Sequence, residues 1–315
     1  MNFIFLMDPL ETVNYQTDTS YIFMVAAHEK GHRVYYLPSG GISLQQGAVQ
    51  FKCTEVVPNN NKDFPFEIIG AVTLTDEETD AVFIRTEPPF DKQYLMNTWL
   101  LDRAAAKVAI LNSPAGIRTV NEKIWATQFT DLIPRTVVSN SIEDFQTFLK
   151  KEKNIIIKPT DGFGGAGVFK ISEDASNKNV SFEVLSERGQ QEVIMQQYIP
   201  EAAIGDKRIL LLDGDPLGAV LRVHGDDDHR NNFYAGGKPV ACEITPRDLE
   251  VIRTLKPYLQ ELGLYFVGID MLGDYLIEVN VTSPTCLQEM NAIYQKKLHY
   301  EVIEFAENLV KNKET

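Results

Sequence analysis

The chain has 315 residues, with 30 Lys+Arg against 44 Asp+Glu for a formal net charge of −14, and 44% of it is hydrophobic. That apolar share is ample for a packed core and the length suits two or three domains, while the acidic balance argues against nucleic acid or an anionic membrane as partner. No apolar run reaches the roughly eighteen residues of a membrane helix, and the start lacks a basic segment and meets Asp8 too early for a secretory signal.

Residues 2–7 form a short apolar run that ends at Asp8-Pro9, which predicts a buried strand followed by a loop. Thr19 or Ser20 caps a helix through Lys30 that stops at Gly31. Residues 33–37 read as a second strand with Pro38-Ser39-Gly40-Gly41 as its turn, 81–84 as a third ending at Arg85, and 108–111 as a fourth. Strands alternating with helices predict a mostly parallel, doubly wound sheet. Residues just past its strand C-termini, here Asp8, Arg85 and Asn112, then line the ligand crevice.

The texture changes after Pro114-Ala115-Gly116. Asn121 opens a helix signal that ends near Pro134, and residues 154–159 read as a β-branched strand followed by a glycine cluster and a further strand over 168–171. The remainder has an antiparallel α+β pattern: strands over 192–198, 208–212 and 218–223, a helix over 246–262, strands over 265–272 and 275–281, and a last helix over 300–311. There is no internal repeat. The dispersed cysteines Cys53, Cys242 and Cys286 form no CxxC pair, which points to reduced thiols and a cytoplasmic setting rather than disulfides or zinc.

Gly162-Phe163-Gly164-Gly165-Ala166-Gly167 matches the GxGxxG dinucleotide pattern, but that fingerprint must open a helix. Val168-Phe169-Lys170-Ile171, immediately after it, is a strand pattern. The segment therefore reads as a hairpin lid whose backbone N–H groups can cover phosphates; the alternative is a merely flexible hairpin. Lys158 ends the strand that leads into it. An ammonium group at a buried strand end needs a partner, and a phosphate would serve. Glu278 and Asn280 are two apart and share one face of a strand, and with Asp270 they make an oxygen-only set suited to Mg²⁺.

That set carries a register condition. A plain two-residue turn at Gly273-Asp274 pairs Asp270 with Ile277 and puts Asp270 on the face opposite Glu278. An odd loop or a bulge is required, and a three-residue loop of Gly273-Asp274-Tyr275 is the preferred reading. Arg208 and Arg222 lie on neighbouring apolar strands and should meet phosphates or carboxylates bidentately. The His224-Gly225-Asp226-Asp227-Asp228-His229 run reads as a solvated loop, with Arg230 and Asn232 beyond it better placed to act. Cys286 has no nearby histidine and reads as a packing residue.

Together these segments resemble the ATP-grasp superfamily, and specifically the prokaryotic-type glutathione synthetases, over essentially the whole chain. The resemblance rests on Met7-Asp8-Pro9, Arg85-Thr86-Glu87-Pro88-Pro89-Phe90-Asp91, Asn121-Glu122-Lys123, Lys158-Pro159-Thr160-Asp161-Gly162, Gly205-Asp206-Lys207-Arg208, Ala235-Gly236-Gly237, Val267-Gly268-Ile269-Asp270, and Glu278-Val279-Asn280-Val281-Thr282-Ser283-Pro284-Thr285. It implies an α/β chain with an ATP-grasp fold, α+β in its C-terminal part, preceded by a Rossmann-like domain. The implied division is a substrate-binding domain over 1–120, a lid subdomain over 121–198 and a catalytic subdomain over 199–315.

The resemblance also implies the reaction, ATP-dependent ligation of glycine to γ-glutamylcysteine through an acyl phosphate. It implies that Asp270, Glu278 and Asn280 hold two Mg²⁺ (or Mn²⁺) ions and that Lys123 and Lys158 bind phosphates under Gly162, Phe163, Gly164, Gly165, Ala166 and Gly167. Gln196-Gln197-Tyr198-Ile199 would read adenine, with Asp206 near the ribose. Arg208 and Arg222 would stabilise the acyl phosphate and the tetrahedral intermediate. Arg230 (catalytic) and Asn232 (substrate-binding) would belong to a loop that closes over the acyl phosphate and excludes water, and Arg85, Thr282, Ser283, Pro284 and Thr285 would bind the dipeptide. It further implies a homo-oligomer. Two rivals share the scaffold: a ligase for another carboxylate–amine pair, and a silent ATP-binding protein.

Overall fold

The opening run is apolar on both faces because it lies mid-sheet. In the computed structural model, which describes residues 1–162, 164–223 and 237–313, β1 (Asn2–Leu6) is followed by α1 (Thr19–Glu29) and β2 (Arg33–Leu37). Then come β3 (Ile42–Gln45), β4 (Ala48–Pro58), β5 (Phe66–Thr75), β6 (Ala81–Ile84), α2 (Lys92–Ala104) and β7 (Ala109–Leu111). β2, β1, β6 and β7 are parallel neighbours in that order, the expected doubly wound half. The helix cap is Asp18, one residue earlier than expected: its carboxylate accepts the Tyr21 N–H at 2.7 Å.

Residues 42–75 depart from the parallel expectation. β3, β4 and β5 extend the sheet in antiparallel sense. β4 alternates, with Val49, Phe51 and Cys53 buried, whereas β5 is largely exposed and Ile68 and Ile69 face solvent.

After α3 (Pro114–Thr119) the expected helix from Asn121 is replaced by a single 3-10 turn over Trp125–Gln128. The Asn121 side chain accepts the N–H groups of Lys123 and Ile124, and the carbonyls of Glu122 and Leu132 accept from Val279 and Leu276. Backbone groups that an α-helix needs are thus engaged by a strand from later in the chain.

The second sheet comprises β8 (Thr136–Ser139), β9 (Asn154–Pro159), β10 (Phe169–Ser172) and β11 (Val193–Gln197), all antiparallel in the order β10-β9-β11-β8. α4 (Ile142–Glu152), capped by Ser141, and α5 (Lys178–Leu185) cover one face. Phe145, Phe148, Leu149 and Phe182 pack there on Ile155, Ile157, Val193 and Met195. By alternation Ile156, Lys158, Ile194 and Gln196 take the other face. A strand does succeed the glycine segment, where the GxGxxG dinucleotide pattern would need a helix.

β12 (Asp206–Leu212), β13 (Asp215–Val223), β14 (Lys238–Val240), β15 (Phe266–Leu272) and β16 (Tyr275–Asn280) form the third sheet, in the order β14-β13-β12-β15-β16. α6 (Pro246–Glu261) carries a capping box of Thr245 and Asp248 and packs Val251, Leu255 and Leu259 inward. α7 (Leu287–Tyr294) and α8 (Leu298–Lys313) complete the described chain. α8 returns to the first sheet, where Glu307 meets His32 at 2.7 Å and Lys30 at 3.4 Å. No helix among the described residues is long and apolar enough to cross a membrane.

The register condition is met, by the other of its two devices. Leu272 pairs with Tyr275 and Met271 with Leu276 around a two-residue turn, then the register shifts and Asp270 pairs with Glu278. Ile277 is the extra residue of a bulge, which restores the face parity that a three-residue loop would have supplied.

Candidate active site

One face of the third sheet carries a polar row. Arg222 pairs across β13–β12 with Asp206, Arg208 across β12–β15 with Asp270, and Asp270 across β15–β16 with Glu278. The Arg208 fork grips Asp270 bidentately, with its second bond at 2.9 Å, and the Arg222 Nη2 reaches the same carboxylate at 3.0 Å. Arg222 also grips Asp206 bidentately, Nε to Oδ1 at 3.0 Å. Burial alone would push the Asp270 carboxyl up, but the two guanidiniums outweigh it and hold it well below the usual carboxylate range. Asn280 donates to Gly268 O at 3.1 Å and to Asp270 Oδ2 at 3.4 Å. Gly268 is required here: a Cβ would sit 2.9 Å from Pro284 Cβ and 3.1 Å from Arg208 Cδ.

Two lysines face this row from the second sheet and its approach. Lys158 is 4% exposed, and its ammonium meets Gln196 Oε1 at 3.4 Å. Burial lowers its pKa below the ordinary lysine value; Glu278 and Asp270 pull the other way, and Lys123 adds to the depression. Lys123 bonds to the Gly162 carbonyl and lies 3.5 Å from Glu278 Oε1. Gly164, Gly165 and Gly167 all have positive φ, between 60° and 75°, a backbone path that side chains resist. Gly162 also fits only without a Cβ, which would meet Pro159 Cγ at 2.7 Å. At the end of β11 the Gln197 and Tyr198 N–H groups bond to Arg135 O and Asn154 O, and the Lys170 ammonium sits 3.7 Å from the Tyr198 ring centre.

The loop after β16 closes the far end. Thr282 is buried, Ser283 donates to the Arg85 carbonyl at 3.1 Å, and Pro284 O accepts from Arg85 Nη2 at 2.9 Å. Arg85 is enclosed rather than open to a wide crevice. Its Nε donates to Ser20 at 3.0 Å, its guanidinium lies against the Phe23 and Phe266 rings, and Nη1 has no hydrogen-bond partner among the described residues. Burial pulls its pKa down to about 10. Asn112, expected at the crevice, instead docks the first sheet on the third. Its amide donates to Phe266 O and Val281 O and accepts from Phe266 N, each at 2.8 Å. Asp8 accepts the Glu87 N–H at 2.9 Å. Cys286 adopts φ 85° and is buried, and burial pushes its thiol pKa up, which leaves it protonated near neutral pH.

Asp206, Arg208, Arg222, Asp270, Glu278 and Asn280 thus share one face, with Lys123 and Lys158 against it and residues 282–285 at its end. Phe163, Arg230, Asn232 and the His224-to-His229 run lie outside the described residues. Sequence reasoning missed Glu122, whose carboxylate Oε1 accepts three donors from Val281 and Thr282. Its position between Asn121 and Lys123 was the available signal.

Comparison with known proteins covers both halves of the chain. The family model for the prokaryotic glutathione synthetase N-terminal domain matches residues 1–118, and that for the ATP-grasp domain of the same family matches 122–295. The chain is similar to the glutathione synthetase of Vibrio parahaemolyticus, 35% identical over 97% of this chain and 98% of that one. To the glutathione synthetase of Thermosynechococcus vestitus it is 38% identical, over 96% and 98%. Among solved structures, D-cycloserine synthetase DcsG superposes with a TM-score of 0.67 at 13% identity, covering 98% of this chain and all of that one. D-alanyl-alanine synthetase A from Vibrio cholerae superposes with a TM-score of 0.62 at 12% identity, over 98% of each chain. The two structural likenesses show a shared fold, and the family models over both halves of the chain, the second an ATP-grasp domain, together with the sequence relatives show more: the chain belongs to the prokaryotic glutathione synthetase family.

Proposed function

We propose that the polar face of the third sheet, with Lys123 and Lys158 against it, is where this chain carries out its reaction. The chain is an ATP-dependent carboxylate–amine ligase, a glutathione synthase. A carboxylate is a poor electrophile, and phosphorylation gives it a leaving group. An oxygen of the C-terminal carboxylate of γ-glutamylcysteine attacks the γ-phosphorus of ATP, the bridging P–O bond breaks and ADP departs. The glycine amine then attacks the acyl carbon, the tetrahedral intermediate expels phosphate, the amine loses a proton and glutathione is formed.

The observation that carries this assignment of parts is the cross-strand row of Arg222–Asp206, Arg208–Asp270 and Glu278 facing a buried, weakly partnered Lys158. Lys123 and Lys158 hold the α- and β-phosphates, and residues 162–167 cover them with backbone N–H groups. Adenine lies along Gln196-Gln197-Tyr198-Ile199, with Asp206 bordering the ribose. Arg208 and Arg222 stabilise the acyl phosphate and the oxyanion. Arg230 and Asn232 act with them, excluding water. Thr282, Ser283, Pro284 and Thr285, with Arg85 behind them, receive the dipeptide.

Asp270, Glu278 and Asn280 suit a hard divalent cation, since two carboxylates and an amide on one face supply only oxygen donors. Two Mg²⁺ or Mn²⁺ ions bound there would neutralise charge developing between the β- and γ-phosphates. Three units, 1–120, 121–198 and 199–315, follow the three sheets, with α8 shared by the first and last. The remaining expectations, a cytoplasmic homo-oligomer acting on small molecules, belong to this reading too. The acyl-phosphate route is tested with γ-glutamylcysteine carrying ¹⁸O in its C-terminal carboxylate. One label must appear in the released phosphate; unlabelled phosphate contradicts the route.

A further inference from the structure

Glu122 concentrates more contacts on one oxygen than a solvated carboxylate beside a phosphate-binding lysine requires. Oε1 accepts the Val281 N–H at 2.8 Å, the Thr282 N–H at 3.0 Å and the Thr282 hydroxyl at 2.8 Å, while the Glu122 carbonyl accepts the Val279 N–H at 2.9 Å. Its neighbours in sequence reach the other side of the crevice: Asn121 donates to Thr160 O at 3.2 Å, and Lys123 bonds to the Gly162 carbonyl. The residues it grips begin directly after Asn280 and lead into Ser283 and Pro284, which are tied to Arg85. Two successive N–H groups and a hydroxyl converging on one carboxylate oxygen fix a chain segment more tightly than water would.

We propose that Glu122 is a positioning residue that holds residues 281–285 in the conformation that receives the dipeptide. The proposal rests on the reading of residues 282–285 as the substrate loop. The contacts of Glu122 run to the chain itself, at Val279, Val281 and Thr282. Its effect falls on the dipeptide and not on the nucleotide, because Lys123 and Lys158 keep their own contacts. A glutamine keeps the acceptor oxygen in place, so it should largely restore what an alanine loses.

The test compares Glu122→Ala and Glu122→Gln with the unaltered chain. For Glu122→Ala the expected result is a KM for γ-glutamylcysteine raised about tenfold or more, with the ADP dissociation constant by calorimetry within about threefold. Glu122→Gln should lie closer to the unaltered chain than to Glu122→Ala. An unchanged dipeptide KM, or ADP affinity falling in parallel with it, overturns the proposal. If Glu122→Ala does not fold, Glu122→Asp, which withdraws the oxygen by one methylene, reads the same split. Amide hydrogen exchange at Val281 and Thr282 separates this proposal from the substrate reading. Faster exchange in the variant upholds the positioning even if γ-glutamylcysteine is not the substrate, and equal exchange removes it.

Discussion

Replacing Lys158 by methionine should move stability and nucleotide binding in opposite directions. The ammonium is 4% exposed with Gln196 Oε1 at 3.4 Å, so the folded protein holds a cation at a site that disfavours it. Burial places its pKa below that of the unfolded chain. The cost is therefore fully present below the folded pKa and fades as pH rises toward the unfolded value. Methionine fills a similar volume without the charge, so at pH 7.5 Lys158→Met should melt at or above the temperature of the unaltered chain. ATP loses a desolvated, charge-assisted contact worth about 2–4 kcal/mol, or roughly 30- to 1,000-fold in Kd. Calorimetric titration with ATP alongside thermal melting measures both. A variant that melts lower and binds ATP normally refutes the assignment of Lys158 to the phosphates and the account of its burial together.

Glu278→Ala should abolish turnover while leaving the melting temperature nearly unchanged, since its closest cationic partner, Lys123 at 3.5 Å, also bonds to Gly162 O; retained activity removes Glu278 from the proposed cation site. His299 offers a stability test away from the crevice. Asn291 accepts from Leu298 N through Oδ1 and so presents its amide N–H to His299 Nδ1 at 2.8 Å, which suits the neutral ring. Burial pushes the His299 pKa down to about 4. Its contribution is therefore full above the unfolded value of about 6.5 and is lost as pH falls toward the folded one. At pH 5 the unaltered chain should have lost about 2 kcal/mol from this group, a loss absent in His299→Gln by urea unfolding. Parallel pH profiles would contradict it.

Strands that are apolar on both faces, such as β1, β2 and β6, are legible from sequence because burial on two sides leaves an unbroken run. β5 is not, since most of it faces solvent and its partner β4 supplies the order. The turn at Trp125–Gln128 was hidden for a related reason: the backbone groups that keep it from becoming a helix bond to β16, about 150 residues away in the chain. Parity across β15 and β16 could be demanded from the chemistry of Asp270 and Glu278. Whether a loop or a bulge supplies it is settled by the pairing of Met271 with Leu276 and Leu272 with Tyr275, which no pattern in the sequence encodes. Arg208 and Arg222 were legible as cations drawn inward. That Asp270 and Asp206 neutralise them in the free chain emerged only from the register.

The net charge of −14 takes on a definite meaning in this fold. Arg208 and Arg222 on the third sheet, with Lys123 and Lys158 facing them, gather positive charge around one crevice, where Asp206, Asp270 and Glu278 offset part of it. A small polyanion is met by local charge, whatever the overall balance.

The central claim is the pairing of substrates, and release of ADP with each component omitted in turn tests it most directly. With Mg²⁺ and ATP present, γ-glutamylcysteine and glycine together should give sustained ADP release matched by glutathione. Without the dipeptide, release should fall to background. Without glycine it should fall to a trace from slow hydrolysis of the acyl phosphate. No release with both substrates present, or release with glycine alone, would contradict the account.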